Sequence, residues 1–170
     1  MESKGFTLTE LLVICGIIVI LSAIVLPSYQ VGERSFALQR SAHKLAQDLR
    51  VAQEMSMSAK PYDCGANWKM KGYGINLVQD FDYYLLKARC ESTTTPGSYD
   101  DGQVGEQIKL EKGVKIKTLT ANPLNIFFYP PDPKIDLGGL NTAEIILCLK
   151  TDEVKTKKII INKTGLIEVQ

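Results

Sequence analysis

The sequence predicts an α+β fold in which one long N-terminal helix, with a membrane-length half and an amphipathic half, packs on a mainly antiparallel β-sheet domain. An almost unbroken apolar run extends from Leu11 to Leu26, and an amphipathic stretch follows it up to Lys60. Short alternating runs separated by turn residues fill the rest of the 170-residue chain. The connections between those runs are too short for crossover helices, which favours antiparallel pairing.

The first half of the predicted helix, residues 6–27, is long enough to cross a membrane. At 1.5 Å per residue it would span about 33 Å, against a hydrocarbon core of about 30 Å. Pro27 lacks an N–H and is expected to kink the helix. Glu10 lies near the start of this span, where a charged side chain costs up to about 2.5–3.5 kcal/mol at bilayer depth. We therefore expect Glu10 to have a positively charged partner.

The second half, residues 28–60, is predicted to be amphipathic. The apolar positions that recur at three- and four-residue steps form one stripe, made of Val31, Leu38, Ala42, Leu45, Leu49 and Ala52. Charged and amide residues lie between them. Pro61 ends the helix, because the residue before a proline disfavours helical conformation.

Residues 61–170 are predicted to form a β-rich globular domain. Runs of alternating or β-branched and aromatic residues lie at 73–77, 81–88, 107–119, 124–129, 143–149, 158–161 and 166–169. The run at 107–119 contains Lys112-Gly113, which indicates a break or a tight turn. The longest predicted loop, 92–105, is rich in Ser, Thr, Gly and Asp.

Composition and motifs argue against an enzyme. The formal net charge is +1, which gives no global bias toward nucleic acid or an anionic membrane. The sequence has no P-loop, GxSxG or HExxH motif, and its single histidine, His43, lies on the predicted helix. We expect no catalytic site, no cofactor and no metal.

The cysteines allow one disulfide. Cys15 lies in the apolar helix, where it is expected to pack as a small hydrophobe. Cys64, Cys90 and Cys148 remain, so at most one intrachain bridge forms. A Cys64–Cys90 pair is favoured, because it would tie the segment after the helix to the end of the second strand. The alternative is three reduced, buried cysteines.

Two groups of charged residues are candidates for ligand binding. Asp100, Asp101 and Glu106 could bind calcium, which prefers clustered oxygens on a flexible loop, although their spacing is not that of an EF-hand. Lysines near the C-terminus could contact DNA phosphates, or could be solvated edge residues that block aggregation; they are Lys155, Lys157, Lys158 and Lys163.

The N-terminal sequence resembles a known family. Residues 5–29, GFTLTELLVICGIIVILSAIVLPSY, are similar to the class III leader and N-terminal helix of type IV pilins and type II secretion pseudopilins. The resemblance implies a leader at 1–5 that a membrane peptidase removes by cutting after Gly5, and N-methylation of Phe6. It also implies that Glu10 pairs with the Phe6 amine of an adjacent subunit during filament assembly.

A second resemblance covers the β-rich part. Phe127-Phe128-Tyr129-Pro130 and the terminal hairpin around Gly165 resemble the GspH/FimT-type minor pilins and pseudopilins, which implies a pilin-like fold. The sequence departs from the family at Cys15-Gly16, where many relatives have branched aliphatic residues, and at Val19, where many have glycine.

These resemblances imply a structural subunit of a type IV pilus or type II secretion filament. The implied partners are the prepilin peptidase and N-methyltransferase, other pilins or pseudopilins, an inner-membrane assembly platform and membrane lipid. The implied location is the bacterial inner membrane, single-pass with the C-terminal domain outside the cytoplasm, and then a periplasmic or extracellular filament.

Other functions stay open at this point. The chain could be a DNA-uptake subunit that binds nucleic acid, or a membrane-anchored binding module outside any filament. The N-terminal stretch could also be an ordinary secretory signal cleaved within 22–27, or an uncut signal anchor.

Overall fold

A computed structural model describes residues 7–130 and 134–170, except for the side chains of 25–31. The chain divides into two compact units, Met1–Phe36 and Ala37–Gln170. Helix α1 has the bounds Leu8–Met57. The strands that follow in the described chain are β1 (Trp68–Leu77), β2 (Tyr83–Ser92), β3 (Tyr99–Gln103), β4 (Ile108–Lys109), β5 (Val114–Leu119), β6 (Leu124–Tyr129), β7 (Lys134–Asp136), β8 (Thr142–Leu149), β9 (Asp152–Asn162) and β10 (Ile167–Val169).

The strands form two antiparallel sheets. Sheet A has six strands in the order β3-β2-β1-β6-β7, with the short β4 also paired to β2. Sheet B has four strands in the order β10-β9-β8-β5. Every strand pairing is antiparallel, as the short connections predict.

The predicted fold class is nevertheless wrong. The described chain is mostly β, with two sheets in place of one, and it is not a pilin-like arrangement of one long helix packed on a single sheet. The helical residues that belong to the core of the second unit begin at Ala37. Alternating apolar residues predict strands with one buried face, but they do not say how many sheets those strands form.

The core of the second unit is one cluster of buried side chains from α1 and both sheets. The stripe on α1 is buried at Leu38, Ala42, Leu45, Leu49 and Ala52. The inner strand faces contribute buried residues at every second position, namely Tyr73, Ile75 and Leu77 of β1, Ala143, Ile145 and Leu147 of β8, and Ile159 and Ile161 of β9.

The turn between β1 and β2 joins the two sheets. Ile116 of β5 donates its N–H to the Phe81 carbonyl at 2.9 Å and accepts from the Asp80 N–H at 2.8 Å. Lys115 lies 3.3 Å from the Asp80 carboxylate. These bonds satisfy backbone groups of β5 on the edge away from β8, so this edge of sheet B is not free at Ile116.

Hydroxyl groups join α1 to the strands inside the core. The buried Ser56 hydroxyl accepts from the Tyr73 N–H at 2.7 Å and donates to the Ala52 carbonyl at 3.0 Å. The buried Ser41 hydroxyl accepts from the Glu111 N–H at 3.0 Å. Ser56 therefore satisfies a backbone donor of β1, and Ser41 satisfies one in the connection between β4 and β5.

Candidate functional site

The apolar stretch at the start of α1, residues 8–24, is a surface without a partner in the described chain. We call it the apolar segment. All of its Leu, Ile and Val side chains are exposed, from 42% for Ile14 to 80% for Leu8. Consecutive apolar residues, as at 11–14 and 17–21, point to all sides of a helix. Since a helix that is apolar on every side is normally buried, the apolar segment is the strongest candidate for an interaction site.

The apolar segment begins with a capped helical turn. The Thr7 hydroxyl accepts from the Glu10 N–H at 3.3 Å, and the Thr7 carbonyl accepts from the Leu11 N–H at 3.2 Å. A threonine followed three positions later by glutamate has the spacing of a capping box. A carboxylate in the first turn also interacts favourably with the helix dipole. Glu10 therefore has a local role at the helix start, which the Thr7-x-x-Glu10 spacing could have predicted.

The described residues do not include the predicted processing site. Gly5 and Phe6, the expected cleavage and methylation positions, lie outside them. Pro27 lies in the helical stretch whose side chains are not described, so the kink at Pro27 stays a prediction.

Within the described residues, no helix is both long enough and apolar enough to cross a membrane. This finding contradicts the transmembrane helix predicted at 6–27. It also contradicts the predicted single-pass location in the bacterial inner membrane.

The cysteines fall into three different environments. Cys64 and Cys90 form a disulfide with Cα atoms 5.9 Å apart, the pair that the sequence favours. Cys15 is a free thiol exposed on the apolar segment. Cys148 is free and buried in β8, and burial raises the pKa of its thiol. Cys15 is thus the accessible thiol of the described chain.

Arg89 of β2 is the centre of a polar network on the outer face of sheet A. Its guanidinium donates to the Asp101 carboxylate at 2.7 and 2.9 Å, to the Tyr129 hydroxyl at 3.1 Å and to the Asp136 carboxylate at 3.0 Å. It also lies 3.6 Å from the ring centroid of the buried Phe127. These contacts join β2 to β3, β6 and β7.

The electrostatics of this network fit a structural role. Burial opposes the charge on Arg89, but the bonds to Asp101 and Tyr129 outweigh it, so the pKa of Arg89 lies above its ordinary value. Burial raises the pKa of Tyr129 to about 12. The contacts use four of the five N–H donors of the guanidinium, which leaves little capacity for a ligand.

Two glycines of β1 make room for the rings of Phe127 and Tyr129, both of which contact Arg89. Gly74 pairs with Phe127 in the register of β1 and β6, and a Cβ at Gly74 would overlap the Phe127 ring. A Cβ at Gly72 would overlap the Tyr129 ring in the same way. The sequence analysis missed this network. The one feature of the sequence that could have indicated this network is a pair of glycines at alternate positions of a strand. Glycine inside a strand often marks a close approach of another group.

The three calcium candidates do not lie together in the structure. Asp101 binds Arg89, whereas Asp100 is its neighbour on β3 and so points to the opposite face of the strand. Glu106 is exposed beyond the end of β3. Among the described residues, no three His, Cys, Asp or Glu side chains are grouped so that they could hold a metal ion.

The C-terminal lysines do not form one basic surface. Lys157 and Lys158 are neighbours on β9 and therefore lie on opposite faces of sheet B. Lys158 is bound to Glu144 at 2.7 Å. Lys155 and Lys163 are exposed, the latter in the turn after β9. These lysines are close in sequence, but the alternation of side chains along β9 keeps them from forming one group.

Comparison with protein-family models, with curated proteins and with solved structures finds no match to this chain. The assignment of the chain to pilins, pseudopilins or GspH/FimT-type proteins gains no support from relatives. The likeness of residues 5–29 to the class III leader and helix is a likeness of motif alone.

Proposed function

We propose that this chain is a structural subunit of a filament of the type IV pilus or type II secretion kind, assembled through the apolar segment of α1. The observation that carries the proposal is the exposure of every large apolar side chain from Leu8 to Ile24. The motif at 5–29 adds the class of filament.

A bundle of like helices is a suitable partner for a helix that is apolar on all sides. Complete burial of one Leu, Ile or Val side chain stabilises an assembly by roughly 1.5–3 kcal/mol. Burial against several neighbours uses every face of the helix at once, whereas docking on one flat surface would cover one face only. The segment therefore suits a central position among other subunits.

Glu10 has a second role in this proposal. Within the described residues, its exposed carboxylate has no ion-pair partner. Removal of a leader after Gly5 would create an α-amino group on Phe6, and that amine on a neighbouring subunit could pair with Glu10. Inside an apolar bundle such a pair has a strong Coulomb attraction, and an unpaired carboxylate there is costly. The prepilin peptidase and N-methyltransferase, other subunits and an assembly platform are the partners that this function requires.

Cys15 provides a direct test, because it is the exposed thiol of the apolar segment. The full chain is expressed in cells that carry a pilus or secretion machine. Filaments are sheared off without detergent and treated with a maleimide reagent. We expect Cys15 to be protected in the intact filament fraction and to react after the filaments are dissociated. Mass spectrometry of the same fraction should show a chain that begins at methylated Phe6.

The buried Cys148 and the disulfide-bonded pair should not react before denaturation. A Cys15→Ser variant measures any background from them. The proposal fails if the sheared fraction never contains the chain, or if Cys15 in that fraction reacts as fast as in the dissociated protein.

A further inference from the structure

Strand β3 is a free edge of sheet A. It pairs with β2, and in the part of the chain that the structure describes no strand lies on its other side. Just beyond β3, the Val104 N–H donates to the Leu86 carbonyl of β2 at 2.8 Å. Because backbone groups alternate in direction along a strand, the N–H and C=O groups of Tyr99, Asp101 and Gln103 point away from β2. These groups are available to bond to a further strand.

The free edge at β3 is acidic and has none of the usual protection. Edge strands often carry lysine or proline, which discourages pairing with another chain, but β3 has the sequence Tyr-Asp-Asp-Gly-Gln. The Asp101 carboxylate is bound to Arg89 at 2.7 Å. Asp100 is exposed, and within the described residues it has no cation at salt-bridge distance. We call residues 99–103 the acidic edge.

A shorter free edge lies on β9. Strand β10 pairs with β9 at 159–161, and Lys158 exchanges backbone hydrogen bonds with Gln170 at 3.0 and 2.8 Å. Among the described residues, no strand continues along that side of residues 155–157. The backbone groups of Thr156 point to the same side as those of Lys158, so they face this open side.

The free stretch of β9 is basic. Lys155 is exposed and Lys157 is half-buried, and in the described chain neither has a carboxylate at salt-bridge distance. We call residues 155–157 the basic edge. Like charges directly opposite each other on paired strands are destabilising, whereas opposite charges are stabilising. Charge therefore disfavours pairing of two like edges and favours pairing of the acidic edge with the basic edge.

We propose that the acidic edge of one copy of the chain pairs with the basic edge of the next copy, so that a β-sheet continues from subunit to subunit. Antiparallel pairing of Asp101 with Thr156 joins outward-pointing backbone groups on both sides, as in other cases of strand addition. The same register places Lys157 directly opposite Asp100. The inference rests on the proposed function, because the filament is what brings copies of the chain together.

The symmetry of this contact suits a filament. The two edges are different surfaces, so each subunit can use its acidic edge toward one neighbour and its basic edge toward another. Contacts of this head-to-tail kind generate open helical assemblies when the rotation between copies does not close a ring. The contact would add a connection between β-rich units to the packing of the apolar segments.

Crosslinking in sheared filaments tests the inference. The full chain carries Cys15→Ser, to remove the exposed thiol, together with Gln103→Cys and Val154→Cys, which the proposed register places opposite each other. Val154 is 89% exposed, so its thiol would be accessible. A short bifunctional maleimide should produce a ladder of dimers, trimers and larger multimers on a denaturing gel. Either single cysteine should give no ladder.

The matched control pairs Gln103→Cys with Thr142→Cys. Thr142 is exposed, but it lies opposite Asn162 at the other end of the β8–β9 hairpin. This control has the same number of thiols and should remain monomeric on the gel.

Charge reversal tests the contact between Asp100 and Lys157. In the chain that carries the Gln103 and Val154 cysteines, Asp100→Lys or Lys157→Asp alone should lower the crosslinked fraction at least about fivefold. The two reversals together restore opposite charges and should restore the ladder. Equal crosslinking with and without the single reversals would overturn the proposed pairing.

The outcomes separate this inference from the proposed function. If the wild-type chain never enters the sheared fraction, both are wrong. If the chain is present in that fraction but the double-cysteine variant stays monomeric, or the Thr142 control gives the same ladder, this inference alone is wrong. Crosslinking of the Gln103 thiol to a different protein, and not to Val154, would also overturn it.

Discussion

The hydroxyl of Tyr84 in β2 donates a 2.5 Å hydrogen bond to the carboxylate of Asp48 on α1. Tyr84 is buried and Asp48 is half-buried. Burial, followed by the bond to Asp48, raises the pKa of Tyr84 well above its ordinary value, so the phenol stays protonated and can donate. This charge-assisted bond ties sheet A to the helix inside the second unit.

Tyr84→Phe removes this hydrogen bond and keeps the aromatic ring in the core. We expect the free energy of unfolding to fall by about 1.5–3 kcal/mol, because the Asp48 carboxylate loses a donor in a partly buried position. Denaturant unfolding followed by circular dichroism measures the change. Tyr83→Phe is the matched control, since the Tyr83 hydroxyl makes no hydrogen bond in the described structure and its removal should be nearly neutral. Equal effects of the two substitutions would contradict this account.

Gly74→Ala tests the close packing of β1 on β6. A Cβ at Gly74 would overlap the Ile126 carbonyl oxygen and the Phe127 ring, and a carbonyl of the sheet cannot move away as a flexible side chain can. We expect a loss of about 1–3 kcal/mol in the free energy of unfolding. A Cβ at Gly32, in α1, would meet nothing within 4 Å, so Gly32→Ala should not destabilise the protein. A Gly74→Ala protein as stable as wild type would mean that the ring and strand can separate at no cost.

The ion pairs predict how stability depends on pH. Lys71 holds the pKa of Glu91 below its ordinary 4.5, and Lys150 holds that of Asp82 below 3.8. A lowered pKa in the folded state stabilises the protein above the ordinary pKa, and this stabilisation is lost as the pH falls through the folded value. We therefore expect the free energy of unfolding to decline below about pH 4.5.

Lys71→Gln isolates one contribution. Its difference in stability from wild type should be present at neutral pH and vanish at low pH, where Glu91 is protonated in both proteins. Denaturant titrations at a series of pH values provide the measurement. A difference that stays constant through the acid range would assign the effect of Lys71 to packing.

Local patterns in the sequence predicted those parts of the fold that depend on neighbouring residues. The spacing of Leu38, Ala42 and Leu45 predicted a buried helix face, and these residues are buried. The sequence also predicted the break at Lys112-Gly113, but it did not predict that the chain passes from one sheet to the other there. The chain leaves sheet A after β4 and enters sheet B at β5, and Gly113 has a φ of 87° between them. A turn residue indicates a change of direction without saying which sheet the next strand joins.

Strands made of polar residues are the main part of the fold that the sequence did not predict. The strand β3 has the sequence Tyr-Asp-Asp-Gly-Gln and lies inside the stretch predicted to be a loop. It is fixed by pairing with β2 and by the bonds between Arg89 and Asp101. A search for alternating apolar residues does not predict such contacts. The first half of β9 is likewise polar, and the sequence predicted only its apolar end. Both strands depend on tertiary contacts that outweigh local propensity.

The role of Glu10 can be divided between helix capping and assembly by two substitutions. Glu10→Gln keeps a residue type found at this place in capping boxes but removes the charge, whereas Glu10→Val removes both. If the carboxylate pairs with the Phe6 amine of a neighbouring subunit, both variants should be cleaved after Gly5 and both should be depleted from the sheared filament fraction. Thr7→Ala weakens the cap and leaves the charge, so it should affect assembly less. Normal assembly of Glu10→Gln together with poor assembly of Glu10→Val would show that Glu10 acts in the helix cap and not as an ion-pair partner. Quantitative mass spectrometry of the sheared and cell-bound fractions distinguishes these outcomes, because it reports cleavage and incorporation in the same sample.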